Sequence, residues 1–384
     1  VTARGLTWDH PRGRDALEEA ARRANAGRAE PLISWAVQPL EGFESAPLAD
    51  LAARHDLIVM DHPHVGEAAA EACLTPLDAL YPPETLRAWE AASVGPALAS
   101  YRWEGRTYAL PLDVAAQVCA RRPDRLPAPT GWAEVEEMAA RGGVALSLAG
   151  PHALLTLMSM AAGAGHWAGG AAFLPDDAFA LAYGRMRRLH ARAPAGADAL
   201  NPIALLEAMS RGDGIALVPL VFGYVTYASA AAPGARLAFT DPPGIAADGA
   251  GGVLGGTGIA FSARARPSAE LLDHVAGLMT REAQAGLIAD HGGQPSARAA
   301  WRDARVDAAA GGFYSGTLAS VERAFLRPRF DGVAAFQTAA SARLRRALAA
   351  GEAASPTLAA LRDLWRAARA RARGPLDDDR RTAS

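Results

Sequence analysis

Short apolar runs alternate with amphipathic stretches through the first sixty residues, and the two periods differ. Arg4 to Trp8, Pro31 to Val37 and Leu57 to Asp61 are strand-length and β-rich. Between them, Arg14 to Ala26 and Leu48 to Arg54 carry apolar residues at helical spacing. Strands and helices alternating at this interval imply right-handed βαβ units on a parallel sheet. A hairpin follows at Tyr101 to Leu112, turning at Glu104-Gly105. Beyond Asp113 a proline-rich loop leads to Thr130, read as the N-cap of a helix through Ala140. Helices are expected at His152 to Ala162 and Ala178 to Ala191, then strands at Gly214 to Leu220 and Arg236 to Phe239. The glycine-dense stretch Gly249 to Gly258 precedes a strand, Ile259 to Ser262, and a helix from Ser268 to Thr280. The last third is helical, and residues from Gly374 onward read as a disordered tail. Trp89, Trp132, Trp301 and Trp365 fall in helix-like runs and are assigned to the core.

The tripeptide Asp-His-Pro occurs twice, each time at the end of a strand-like run. The first is Trp8-Asp9-His10-Pro11-Arg12 and the second is Asp61-His62-Pro63-His64. Ligands of open α/β sheets sit at the carboxyl ends of the strands, so two such loops on neighbouring strands suggest one shared polar site. In the alternative, Asp9 caps the following helix and His10 packs in its loop. Pro63 is expected to keep its segment extended and to present His62 and His64 to one side. Arg12, at a helix start, is placed to meet an anion. If the histidines touch the ligand, affinity should change between about pH 5 and 8, where a free imidazole titrates.

Composition narrows the chemistry. All 39 basic residues are arginine. Schiff-base catalysis, pyridoxal phosphate attachment and a Walker-type phosphate loop each need a lysine amine, so all three are excluded. A formal net charge of −2 gives no reason to expect nucleic acid as a partner. Cys73 and Cys119 are the two cysteines and form no Cys-x-x-Cys pair, so structural burial is expected for both. No apolar run approaches a membrane span, and no export leader is recognisable at the N-terminus.

Five segments carry a family resemblance: Leu74-Thr75-Pro76-Leu77-Asp78, Glu104-Gly105-Arg106-Thr107-Tyr108-Ala109-Leu110-Pro111, Pro129-Thr130-Gly131-Trp132-Ala133-Glu134, Gly255-Gly256-Thr257-Gly258-Ile259-Ala260 and Gly292-Gly293-Gln294-Pro295. In order and spacing they resemble the family 1 extracellular solute-binding proteins of ABC transporters. The resemblance implies the type II periplasmic-binding fold, in which two α/β lobes, each a mainly parallel sheet flanked by helices, close on a ligand like a hinge. Residues 1–112 and 253–310 would form the first lobe and 113–252 with 311–373 the second, leaving 374–384 as tail. It also implies a small-molecule ligand, an ABC permease as partner, a monomer, no cofactor, and a periplasmic or extracellular location; with no leader in view, a cytoplasmic one stays open.

The ligand-binding candidates are therefore Trp8, Asp9, His10 and Arg12; Asp61, His62 and His64; Asp113 at the crossover; Phe222 and Tyr224 as an aromatic wall; and Gly256 and Thr257 as backbone donors or hinge. Two other readings remain. One is an enzyme or sensor on the same fold using the cleft histidines as acid and base. The other is metal capture by His10, His62, His64 and Asp9 or Asp61.

Overall fold

The computed structural model describes residues 2–245 and 249–376, so most of the expected tail lies outside the described residues. Among the described residues ten strands form: β1 (Ala3–Trp8), β2 (Ile33–Gln38), β3 (Leu57–Met60), β4 (Leu74–Thr75), β5 (Arg102–Trp103), β6 (Arg106–Thr107), β7 (Leu110–Arg121), β8 (Leu217–Phe222), β9 (Ala238–Thr240) and β10 (Leu254–Ser262). Eight of them make one sheet with the path β2-β1-β3-β10-β7-β8; β4 joins it on β10 and β9 joins it on β7.

β1 pairs parallel with both β2 and β3, with Leu6 opposite Ala36 and Ile58. These strands need helical crossovers, which the amphipathic segments supply. β10 runs antiparallel to β3, Ile259 facing Val59, and along its first half it pairs with β7. The twelve-residue β7 continues past this contact to pair with β8 and β9. A single strand thus joins the βαβ half to the half built from residues beyond Asp113.

Both faces of the sheet are buried, and alternation along the strands divides the core in two. Ile58 and Met60 belong to one apolar cluster, Leu57 and Val59 to the other. The first cluster includes Leu154, Phe179, Leu344 and Trp365 from helices; the second includes Leu17, Val275, Trp301 and Phe313. The side-chain period of two makes this inevitable once helices cover both faces.

Several expectations shift. The first helix, α1 (Pro11–Asn25), starts at Pro11 rather than Arg14, because proline is suited to the first helical position. Pro63 does not hold an extended segment; His62–His64 is a 3₁₀ turn leading into the helix Val65–Glu71. Gly131 is the N-cap of Trp132–Ala140, while Thr130 one residue earlier binds the Glu134 carboxylate through both its N–H and its hydroxyl, each at 2.8 Å. Only the second half of the glycine-dense segment, from Leu254 on, belongs to β10, with a register shift between Thr257 and Gly258. Trp301 and Trp365 are core residues, whereas Trp89 and Trp132 are half-buried against it.

Candidate functional site

Parallel pairing of β1 with β3 places both Asp-His-Pro loops at the same, carboxyl end of the sheet. In the first loop the N-cap of α1 is His10, whose Nδ1 accepts the Arg12 N–H at 3.1 Å. Its ring stacks on Trp8 at 5.0 Å and meets Tyr224 edge-on at 5.1 Å. Phe43 packs on the other side of Trp8, 5.9 Å away. Burial, then the charges of Arg12 and Arg14, lower the His10 pKa to about 4 against the opposing pull of Asp9. Asp9 itself is half-exposed and bound by Arg14 at 2.6 Å.

Arg12, at the helix start, was expected to meet an anion of the ligand. It is buried instead. Its Nε reaches both Asp113 carboxylate oxygens at 3.0 and 2.8 Å, its Nη2 pairs with the same group, and its Nη1 donates to the Gly223 carbonyl at 3.0 Å. The guanidinium lies 4.6 Å from the centre of the Tyr224 ring. Burial alone would lower its pKa, but Asp113 raises it. Asp113 also accepts the Gln294 N–H at 3.1 Å, and the Gln294 side chain ties Val114 to Val225, accepting from Val225 N–H at 2.9 Å and donating to the Val114 carbonyl at 2.8 Å. Helix start, crossing strand and the segment after β8 are thus fastened by one buried charge pair and one amide.

The second loop uses its residues differently. Asp61 is the N-cap, accepting from its neighbour's backbone N–H at 2.8 Å. Its carboxylate also takes two contacts from Arg327 Nη2, at 2.7 and 2.6 Å. Burial would raise its pKa, but Arg327 and His62 hold it well below the usual carboxylate range. His62 is buried against Tyr101, with Nδ1 3.2 Å from Asp61 and Nε2 lacking any protein partner. Burial, followed by Arg327, lowers its pKa to about 4 although Asp61 opposes this. His64 points elsewhere: its Nδ1 lies 2.9 Å from Glu67, which also accepts the Leu48 N–H.

The two loops therefore share an end of the sheet without sharing a cluster. His10 lies among Trp8 and Tyr224, while His62 lies between Tyr101 and Asp61. Among the described residues no three histidine, cysteine, aspartate or glutamate side chains are grouped closely enough to hold a metal. The titrations of His10 and His62 also leave the window from pH 5 to 8 and move to about 4.

Across from the loops, Phe222 ends β8 and meets His152 edge-on at 5.8 Å. Its ring lies against Gly255, where a Cβ would come within 2.5 Å of it. Gly256 holds φ at +110° and presses on the Asp113 carbonyl, so only glycine fits there. Thr257 is buried in the pairing opposite Asp113.

No protein-family model matches the chain, and no curated protein matches it in sequence. Solved structures do. The ABC transporter solute-binding protein of Agrobacterium radiobacter K84 in complex with ribitol is similar at a TM-score of 0.79 and 18% identity, over 94% of this chain and 97% of that one. Maltose-bound MalE3 of T. maritima also gives 0.79 at 18% identity, over 95% and 99%. UgpB of Mycobacterium tuberculosis with glycerophosphocholine gives 0.77 at 15% identity, over 97% and 99%.

The chain has the fold of the ABC-transporter solute-binding proteins.

The candidate site lies at the carboxyl ends of β1 and β3. Three residues there went unnoticed in the sequence: Phe43, Gln294 and Arg327. Gln294 lies in the Gly-Gly-Gln-Pro segment that carried the resemblance, so the segment was visible but not its role. Phe43 sits in the short helix Leu40–Ser45 just after β2, too brief for a periodic signal. Arg327 meets Asp61 across 266 positions of sequence, and no local pattern marks it. Among the described residues no helix is long and apolar enough to cross a membrane.

Proposed function

We propose that the chain is a solute-binding protein that captures a small, polar, uncharged molecule between two lobes for ABC-type transport. The observation carrying this reading is the state of the buried charges at the strand ends. Arg12 is paired with Asp113 and Arg327 with Asp61, and both nearby imidazoles are neutral at pH 7. A ligand there meets aromatic faces and neutral hydrogen-bonding groups, with no net charge left to complement. Trp8, His10, Phe222 and Tyr224 supply the walls, and His62 Nε2 is a buried polar atom waiting for a partner. Asp9, Gly256 and Thr257 frame the site, Arg12, Asp61 and Asp113 hold its shape, and His64 is spent on Glu67.

Residues 1–112 with 253–310 form one lobe and 113–252 with 311–373 the other in this reading, β7 and β10 being the connections. The protein works as a monomer, periplasmic or extracellular, with an ABC permease as partner. Ligands of the structurally similar proteins, which include ribitol, maltose and glycerophosphocholine, define the first panel to try. A true ligand at about a hundred times its Kd stabilises the folded state by roughly 2.7 kcal/mol. Thermal-shift titration of neutral polyols, sugars and zwitterions should find one that saturates. If only organic acids, amines or metal ions stabilise the protein, the uncharged-ligand reading is wrong.

Catalysis by His62 is the second reading, favoured by one observation: its Nδ1 lies against Asp61 while Nε2 is unpartnered. Turnover of the captured molecule, abolished in His62→Gln with binding retained, would establish it.

A further inference from the structure

The opposite end of the sheet holds a feature that ligand capture between the lobes does not use. A cavity of about 480 Å³ opens beside the first residues of β1 and β2, bordered by Arg4, Gly5, Ser34, Trp35, Arg54 and His55. It lies at the amino-terminal end of the strands, whereas the candidate site lies at their carboxyl ends. The indole of Trp35 lies flat against Gly5: a Cβ there would come within 2.5 Å of the ring, so glycine is what lets the ring settle over the strand.

Two guanidiniums border the cavity, and most of their donors are unspent among the described residues. The guanidinium of Arg4 has no hydrogen bond or ion pair among the described residues; its backbone N–H donates to the Asp56 carboxylate and its carbonyl accepts the Asp56 N–H. Arg54 spends Nε on the Asp50 carbonyl and leaves both Nη groups unused. His55 spends its Nδ1–H on the Leu51 carbonyl, so its neutral ring adds no further donor. The neighbouring carboxylate, Asp56, is already bound to Arg264 at 3.1 Å. Arg4 thus keeps its whole guanidinium and Arg54 both Nη groups beside one cavity. Planar donor forks of this kind match the paired oxygens of a carboxylate or phosphate.

We propose that this cavity is a second binding site, for a small free oxyanion of the phosphate or carboxylate class, held by Arg4 and Arg54 over the Trp35 ring. It is independent of capture between the lobes.

The test is a thermal-shift and calorimetric titration of the full chain with inorganic phosphate and, in a second arm, citrate. Ionic strength is held constant with sodium chloride so that general salt effects cancel. Arg4 and Arg54 are exposed, so the double variant Arg4→Gln/Arg54→Gln should fold, and the melting temperature without ligand checks that it does. Saturable binding near one anion per chain, weakened at least tenfold in the double variant, is the expected result in one or both arms, and the arm that responds names the class. No saturable binding in either arm, or binding equally strong in the double variant, overturns the proposal. If the double variant fails to fold, Arg4→Gln alone is used, with a threefold or greater weakening required.

Discussion

The two Asp-His-Pro loops begin with identical residues at equivalent strand ends, and they end with opposite assignments. In the first, His10 caps the helix and Asp9 is left half-exposed; in the second, Asp61 caps and is buried, and His62 is sealed beneath it. The difference lies in where the turn begins. Pro11 occupies the first position of α1, so the residue before it must supply the cap. Pro63 sits inside a 3₁₀ turn that has already started at His62, which moves the cap back to Asp61. The distant partners follow from this. In the first loop the buried charge is Arg12, answered by Asp113; in the second it is Asp61, answered by Arg327. A tripeptide fixes the chemistry on offer, and its register against the helix decides which group is spent on structure.

The largest effect should come from breaking the deeper pair. Arg12 and Asp113 are each about 4% exposed, and removing one partner of such a pair costs about 3–5 kcal/mol because the other charge is stranded. Asp113→Ala should lower the unfolding free energy measured in urea by that margin, and Arg12→Met/Asp113→Leu should recover much of it. A loss under 1 kcal/mol in Asp113→Ala would mean that the pair is solvated in solution. Arg327→Ala comes next at roughly 2–4 kcal/mol, since Asp61 keeps 18% exposure and some access to water.

Acid should then separate folded from unfolded chain. Both His10 and His62 have folded pKa values near 4, below the free value of 6.5. Between these limits the unfolded chain takes up protons that the folded one refuses, so stability falls as pH drops from about 6.5 towards 4 and is flat above 7. Each histidine contributes up to about 3 kcal/mol at ~1.4 kcal/mol per unit. His62→Gln should flatten part of that slope in denaturation curves collected between pH 4 and 8; an unchanged slope would exclude a buried neutral imidazole at that position. Smallest of all is Asp9→Ala, expected to stay within about 0.5 kcal/mol because Asp9 is itself 52% exposed. Asp61→Ala should exceed it several-fold, and equality of the two would erase the contrast between the loops.

How much of this was legible beforehand divides along local and non-local lines. The β1–α1–β2 alternation, the hairpin at Tyr101 to Leu112 and the return of β10 to β3 followed from periodicity, turn residues and motif order. The cap at His10 was not foreseen, because histidine is an uncommon cap and Asp9 beside it is a common one. The pairing of Arg12 with Asp113 spans 101 residues, and hydrophobic patterning carries no information about which distant carboxylate an arginine will find. Gly255 and Gly256 read as slack from composition; in the fold they are close-packing positions against Phe222 and the Asp113 carbonyl. The free donors around Trp35 could not be seen either, since an unpaired arginine looks like a paired one in sequence.

The most direct test of ligand capture is the affinity of the ligand found by screening, titrated calorimetrically at intervals from pH 5.5 to 8. With both imidazoles neutral across that range and both buried charges paired, the affinity of an uncharged ligand should vary by less than about twofold, and Tyr224→Ala should weaken it at least tenfold. An affinity that changes tenfold with a midpoint near 6.5, or one indifferent to Tyr224→Ala, would contradict the account.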